Sequence, residues 1–177
     1  SVGSSQQNGL LLFYEPLYYY SAFANKVYPW LAESHTYSPD FKSVTVKLRS
    51  GVVWSDGKPF SADDVAFTLT ALAKQGAKVK WGVDMAQFVA DARASDPTTL
   101  RIDFKFAAPK FVTNYLSYAY GLGIHIVPKH IFEKEDDWSK FQNFDLAKGL
   151  PLTTGPWKVV FASPDQKIID RRDDWWA

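Results

Sequence analysis

Hydrophobic and polar positions alternate most plainly in two stretches: Val44, Val46 and Leu48 are separated by Thr45, Lys47 and Arg49, and Leu100, Ile102, Phe104 and Phe106 by Arg101, Asp103 and Lys105. A period of two marks a strand with one buried face. The second stretch pairs with residues 88–94 across Asp96-Pro97 to predict a β-hairpin, and residues 157–161 and 166–171 around Ser163-Pro164-Asp165 predict another. Between residues 62 and 73 the period lengthens. Val65, Leu69 and Leu72 share one helical face with Thr68 on the other, and Gln75-Gly76 ends the helix. Shorter signals predict a helical turn at Pro29-Trp30-Leu31-Ala32-Glu33-Ser34 and a helix opened by Pro109 in which Phe111, Tyr115 and Leu116 share a face. They also predict a short strand at residues 124–127, a helical turn from Pro128 and an amphipathic helix at residues 136–141. Helices interspersed with hairpins, and strands that alternate instead of running continuously apolar, predict an α+β fold. Its sheet is small, mostly antiparallel or mixed, with helices packed on it, and not a doubly wound parallel sheet.

The stretch from Leu48 to Leu69 is the most constrained in the chain. Gly51 and Gly57 supply the positive φ that two tight turns need, with Ser55-Asp56-Gly57 a strong turn signal, and Pro59 biases Lys58 toward an extended backbone. Ser61 is the expected N-cap, Asp64 sits where a capping-box acid belongs, and Phe60 and Val65 have the spacing of a hydrophobic staple. Asp63 and Asp64 complement the positive end of the helix dipole.

That stretch, "KLRSGVVWSDGKPFSADDVAFTL", resembles the signature of the family 5 extracellular solute-binding proteins of ABC importers, which take dipeptides, oligopeptides, nickel and cello-oligosaccharides. Further pieces agree in order: Tyr14-Glu15-Pro16-Leu17 with Pro29-Trp30-Leu31-Ala32-Glu33-Ser34, then Val127-Pro128-Lys129-His130-Ile131-Phe132, then Thr154-Gly155-Pro156-Trp157 with Arg172-Asp173-Asp174-Trp175-Trp176. The resemblance implies an accessory lobe of the type II (cluster C) periplasmic-binding-protein fold. Residues 1–32 would belong to a first ligand-binding lobe, 33–152 to an inserted accessory lobe, and 153–177 to an incomplete return into the first lobe. Hinge-like positions would fall near Ala32 and Thr154. It also implies an N-terminal portion of a longer, two-lobed protein. Two adjacent indoles, Trp175 and Trp176, fit that reading because they are an unusual surface for a soluble domain.

Composition narrows the chemistry. A net charge of +1 gives no electrostatic case for nucleic acid or an anionic membrane surface. The absence of cysteine excludes disulfides and thiolate chemistry. No apolar run reaches the length of a membrane span, so contact with a membrane is expected only through a transporter or a lipid anchor outside this chain. The expected location is the periplasm or cell exterior, with ABC permease subunits as partners and no cofactor.

Catalysis is not expected. There is no Gly-x-Ser-x-Gly elbow, and His125 and His130, five residues apart around Pro128, do not share a helical face as paired metal ligands do. The resemblance gives His130 a structural role, such as a hydrogen bond to neighbouring backbone. Asp63, Asp64, Asp173 and Asp174 are explained by a helix start and a turn, which leaves no acid pair demanding glycoside hydrolysis. The candidate ligand-binding residues are Tyr14, Glu15, Tyr18, Tyr20 and Trp81, with Tyr118 and Tyr120 on a neighbouring aromatic loop. Aromatic faces with polar tips suit sugar rings or peptide side chains, and packing between lobes is an equal use for each. In a strand, Tyr18 and Tyr20, or Tyr19 alone, can face a cleft. Glu15, a lone acid in an apolar run, must be satisfied if buried. A structural carboxylate held by backbone N–H groups or a tyrosine hydroxyl ranks above ligand contact. The leading function is capture of a peptide or oligosaccharide for import, with a stand-alone interaction domain as the alternative and a glycoside hydrolase behind both.

Overall fold

The computed structural model describes residues 13–119, 122–163 and 165–177. The polar opening at residues 1–9, Tyr120 with Gly121 of the aromatic loop, and Pro164 lie outside the described residues. In chain order the strands are β1 (Tyr18–Ser21), β2 (Lys26–Pro29), β3 (Ala32–Tyr37), β4 (Ser43–Leu48), β5 (Val89–Asp96), β6 (Thr99–Phe104), β7 (Ser117–Tyr118), β8 (Trp157–Ala162) and β9 (Lys167–Arg171). The helices are α1 (Ala62–Gln75), α2 (Gly82–Phe88) and the short α3 (Lys129–Phe132).

The predicted alternation builds an antiparallel sheet in the order β3-β4-β6-β5. Val46 stands opposite Leu100, and Leu100 opposite Ala94. The inward side chains Val44, Val46, Leu100 and Ile102 meet Val65, Leu69 and Leu72 of α1 in one core. Each such side chain, fully buried, contributes about 1.5–3 kcal/mol. A second sheet, β2-β1-β7, pairs β1 antiparallel to β2 and parallel to β7. The β8–β9 hairpin completes an α+β fold.

The turn-and-cap corner forms as its residues dictate. Gly51 and Gly57 take φ of 77° and 81°. Trp54 N–H donates to the Lys58 carbonyl at 2.8 Å, Phe60 N–H to Val52 at 2.9 Å, and α1 opens at Ser61 with a capping box.

Five local expectations are corrected. Pro29 to Ser34 is not a helical turn: Trp30 and Ala32 both donate their N–H to the Leu17 carbonyl, at 3.1 and 3.0 Å, and the chain bends from β2 straight into β3. Thr68 does not face away from the core. It is fully buried, its hydroxyl donating to the Asp64 carbonyl at 2.7 Å and accepting from Val127 N–H at 3.1 Å. Residues 124–127 form no strand, because Ile124 N–H goes to the Tyr115 carbonyl at 2.8 Å and Val127 to that hydroxyl. Residues 136–141 form a turn in place of a helix; the Asp137 carboxylate accepts from Ser139 N–H at 3.1 Å, the local competition that disfavours a helix. β6 stops at Phe104, and Phe106 lies at the surface against Phe88, ring centroids 5.0 Å apart. After Pro109, the predicted helix is realised as a π-helical turn, Val112–Leu116, with the Phe111 and Tyr115 rings 5.1 Å apart.

Candidate aromatic binding site

Alternation along β1 sends its tyrosines to opposite sides. Tyr18 enters the core, its hydroxyl 3.2 Å from His35 Nδ1. Tyr19 turns the other way, edge-on to Trp30 at 5.2 Å and to Tyr118 at 6.2 Å. The ring contacts continue in both directions. Trp30 meets Trp176 at 5.3 Å and Trp176 meets Trp175 at 5.8 Å, while Tyr118 meets His125 at 6.4 Å and His125 meets Tyr14 at 6.1 Å. Tyr19, Trp30, Tyr118, His125, Trp175 and Trp176 are all half-buried, so together they form a wall of rings drawn from distant parts of the chain.

Glu15 holds the indole end of this wall. Its carboxylate is 2% exposed. Oε1 accepts from the indole N–H of Trp30 at 2.8 Å and of Trp175 at 3.2 Å, and Oε2 from that of Trp176 at 3.1 Å. Indole is a donor with no acceptor, so it suits a buried carboxylate. Burial pushes the Glu15 carboxyl above its ordinary range, and the three indole donors pull it back. The expected partners of Glu15, backbone N–H groups or a tyrosine, are thus replaced by indoles. Arg49 braces the same end, its guanidinium 4.5 Å from the Trp176 ring and its Nε donating to the Trp30 carbonyl at 3.0 Å.

Arg172 anchors the segment that delivers the two indoles. It is 4% exposed and donates to the carbonyls of Thr153 (2.6 Å), Gly155 (3.2 Å) and Val53 (3.1 Å), and through Nε and Nη2 to both oxygens of Asp174 at 3.0 Å. Thr153 continues the stitching, its hydroxyl donating to the Phe13 carbonyl and its N–H to Ser55 Oγ at 3.2 Å.

The other end of the wall is less charged. Tyr14 is buried with its hydroxyl accepting from Asn143 Nδ2 at 2.6 Å, and burial pushes its pKa up to about 12. Tyr19 is also pushed up to about 12, by burial first and then by the charge of Glu15. Burial, then the Lys80 charge, lowers the His125 imidazole to about 4, so it is neutral at physiological pH.

Of the candidates read from sequence, Tyr14, Glu15 and Tyr18 are buried, whereas Tyr20 and Trp81 retain exposed surface. Tyr20 donates to Asn25 Oδ1 at 2.9 Å at the tip of the β1–β2 hairpin. Trp81 takes a left-handed φ of 70°, donates its indole N–H to the Gly123 carbonyl at 3.2 Å, and stands edge-on to Tyr115 at 5.6 Å with Lys80 Nζ 4.9 Å over its ring. Tyr118 joins the wall; Tyr120 lies outside the described residues. Trp30, Trp175, Trp176, His125 and Arg172 were missed as site residues. The sequence signals for the indoles were the unusual Trp175-Trp176 pair and Glu15 itself, an acid in apolar surroundings that required donors. His130 bonds Asp56 Oδ2 at 2.8 Å and not backbone, a correction that ties α3 to the second glycine turn. Among the described residues, no three His, Asp or Glu side chains gather as a metal site.

Residues 26–177 match the family described as bacterial extracellular solute-binding proteins, family 5 middle. The nickel-binding periplasmic protein of Escherichia coli is 30% identical over 169 residues, covering 94% of this chain and 30% of that protein. The periplasmic alpha-galactoside-binding protein of Rhizobium meliloti is 27% identical over 168 residues, covering 91% of this chain and 24% of that protein. The crystal structure of a periplasmic oligopeptide-binding protein of an oligopeptide ABC transporter from Thermotoga maritima gives a TM-score of 0.75 at 27% identity, over 93% of this chain and 29% of that one. The chain thus spans less than a third of the length of each of these relatives.

Proposed function

The chain belongs to the bacterial extracellular solute-binding proteins of family 5, and from that premise we propose that the protein containing it captures a peptide or oligosaccharide outside the cytoplasmic membrane and passes it to an ABC permease. The observation that carries this reading is the half-buried wall of Tyr19, Trp30, Tyr118 and the two C-terminal indoles. Its carboxylate, Glu15, is turned inward onto indole donors, which leaves ring surface for a solute. Fixed aromatic faces with a few polar tips are what a solute cleft requires. Of the residues expected at the cleft, Glu15 acts by positioning the rings, while Tyr20 and Trp81 offer surface at its margins.

Residues 33–152 form the accessory lobe in this reading, and residues 1–32 and 153–177 the first ligand-binding lobe. A second lobe would close over the wall, with differential affinity for the closed state driving the shift. This reading is one of solute binding and not of hydrolysis, in keeping with a family of solute-binding proteins. The buried acids Glu15 and Asp64 have both carboxylate oxygens occupied by indole and backbone donors.

The test is native mass spectrometry of the full-length protein as purified, followed by calorimetric titration with the solute released on denaturation. A bound peptide or oligosaccharide that rebinds unchanged is the expected result. Turnover of that solute, abolished by replacing one acid, would refute the reading in favour of a hydrolase.

A further inference from the structure

Buried polar side-chain atoms are nearly always paired. Among the described residues, His125 Nδ1 is the buried side-chain nitrogen or oxygen that is not. Its ring stands between Tyr14 and Tyr118, on a segment whose neighbours Ile124 and Ile126 are buried. Nε2 makes no hydrogen bond among the described residues, and His125 as a whole is half-buried, so the ring keeps some exposed surface.

A neutral imidazole carries one proton, and an enclosed N–H without an acceptor is rarer than an enclosed lone pair without a donor. The proton is therefore assigned to Nε2, the ring nitrogen that is not the enclosed, unpaired one. We infer that His125 reads the solute: its Nε2–H donates to an uncharged oxygen of a neutral oligosaccharide lying against Tyr19 and Tyr118. The inference rests on the importer reading and narrows its ligand class.

Three observations favour a neutral, polyhydroxylated solute over a zwitterionic peptide. The charged groups beside the wall lie against indole donors or ring faces of the protein itself. Glu15 faces three indole N–H groups, Arg49 lies on Trp176 and the Trp30 carbonyl, and Lys80 lies over Trp81. Tyr14 and Tyr19 remain protonated phenols, and His125 itself stays uncharged beside Lys80. The surface left to a ligand is ring faces with neutral donors and acceptors, which matches the C–H faces and hydroxyls of a sugar.

The experiment titrates the full-length protein by calorimetry with cellohexaose, mannohexaose and raffinose, and separately with trialanine and pentaalanine. It is repeated with His125→Phe, which keeps the ring and removes the donor, and His125→Gln, whose amide N–H falls near the position of Nε2. Thermal unfolding of each variant controls for folding. The expected result is binding of a sugar, weakened about three- to tenfold by His125→Phe, the size of one neutral hydrogen bond, and restored by His125→Gln at unchanged melting temperature. Sugar binding unaffected by His125→Phe would overturn the role of His125. Binding of a peptide and no sugar would overturn this inference and leave the importer reading intact, while binding of neither would count against both.

Discussion

Replacing Arg172 by methionine tests how the indole-bearing segment is held. The guanidinium makes five hydrogen bonds, three to backbone carbonyls and two to Asp174. Methionine fills most of the stem but leaves the Thr153, Gly155 and Val53 carbonyls without this donor and Asp174 without its partner. Breaking a buried, hydrogen-bonded charge of this kind costs about 3–5 kcal/mol. That is a large share of the roughly 5–15 kcal/mol that holds a domain folded. Urea unfolding followed by tryptophan fluorescence measures it, and the same signal reports Trp175 and Trp176 leaving Glu15. Arg172→Lys should recover part of the loss, since an ammonium keeps the charge without the planar fork. Arg171→Met, which removes an exposed pair with Asp173, should leave the midpoint in place. An Arg172→Met protein within 1 kcal/mol of wild type would refute the anchoring role.

Three further outcomes follow from other contacts. His125 is lowered from 6.5 to about 4 in the fold. Its contribution to stability is therefore complete above pH 6.5, is lost as pH falls toward 4, and amounts to about 3 kcal/mol. Glu15 and Asp64 are raised by burial and act in the opposite sense, gaining stability as they protonate. Unfolding free energies across this range should fall less steeply for His125→Phe than for wild type, and parallel slopes would remove His125 as the cause. Thr68→Val keeps the shape but orphans the Val127 N–H, at a cost of about 1–3 kcal/mol in chemical denaturation, whereas exposed Thr70→Val should change little. Gly82→Ala puts a Cβ 2.0 Å from the Gly76 carbonyl oxygen and 2.8 Å from that of Leu72, so the junction of α1 and α2 must shift. About 1–3 kcal/mol of overpacking strain should appear as a lowered melting temperature.

What could be read in the sequence was what local chemistry decides. The strands β4 and β6, the β5–β6 and β8–β9 hairpins, the glycine turns and the start of α1 all follow from alternation, positive φ and capping within a few residues. Apart from residues 136–141, where Asp137 and Ser139 compete locally, the main misreadings share another cause: a distant partner took a group that local pattern assigned elsewhere. Thr68 looked like the polar face of α1 because nothing nearby shows that the Val127 N–H, 59 residues on, needs an acceptor. Trp30 looked helical because the carbonyl that claims its N–H belongs to Leu17, just before β1. His130 was assigned to nearby backbone, and its partner is Asp56, 74 positions away. The aromatic site was half legible. Glu15 announced a need for donors, and the hydroxyls of the tyrosine run drew attention away from the indoles, the donors that met it.

The buried charges also tie together the sequence pieces on which the family resemblance rests. Asp64, at the start of α1, accepts from Ser61 N–H at 2.9 Å, from the Trp54 indole at 3.4 Å and from Lys129 N–H at 2.9 Å, so the corner and the Pro-Lys-His turn share one carboxylate. Arg172 joins that corner, through the Val53 carbonyl, to the Thr-Gly-Pro-Trp piece and to Asp174. Trp175 and Trp176 then reach Glu15 of the opening motif, where Trp30 already lies. Pieces separated by more than 150 positions are therefore one hydrogen-bonded network, in which each buried charge takes at least one partner from another piece. A change in one piece leaves a buried carboxylate or guanidinium short of partners in the next, and that penalty is large enough to keep the set together. The wall of rings is positioned by this network and not by the ring contacts alone, so the surface offered to a solute depends on residues that never touch it.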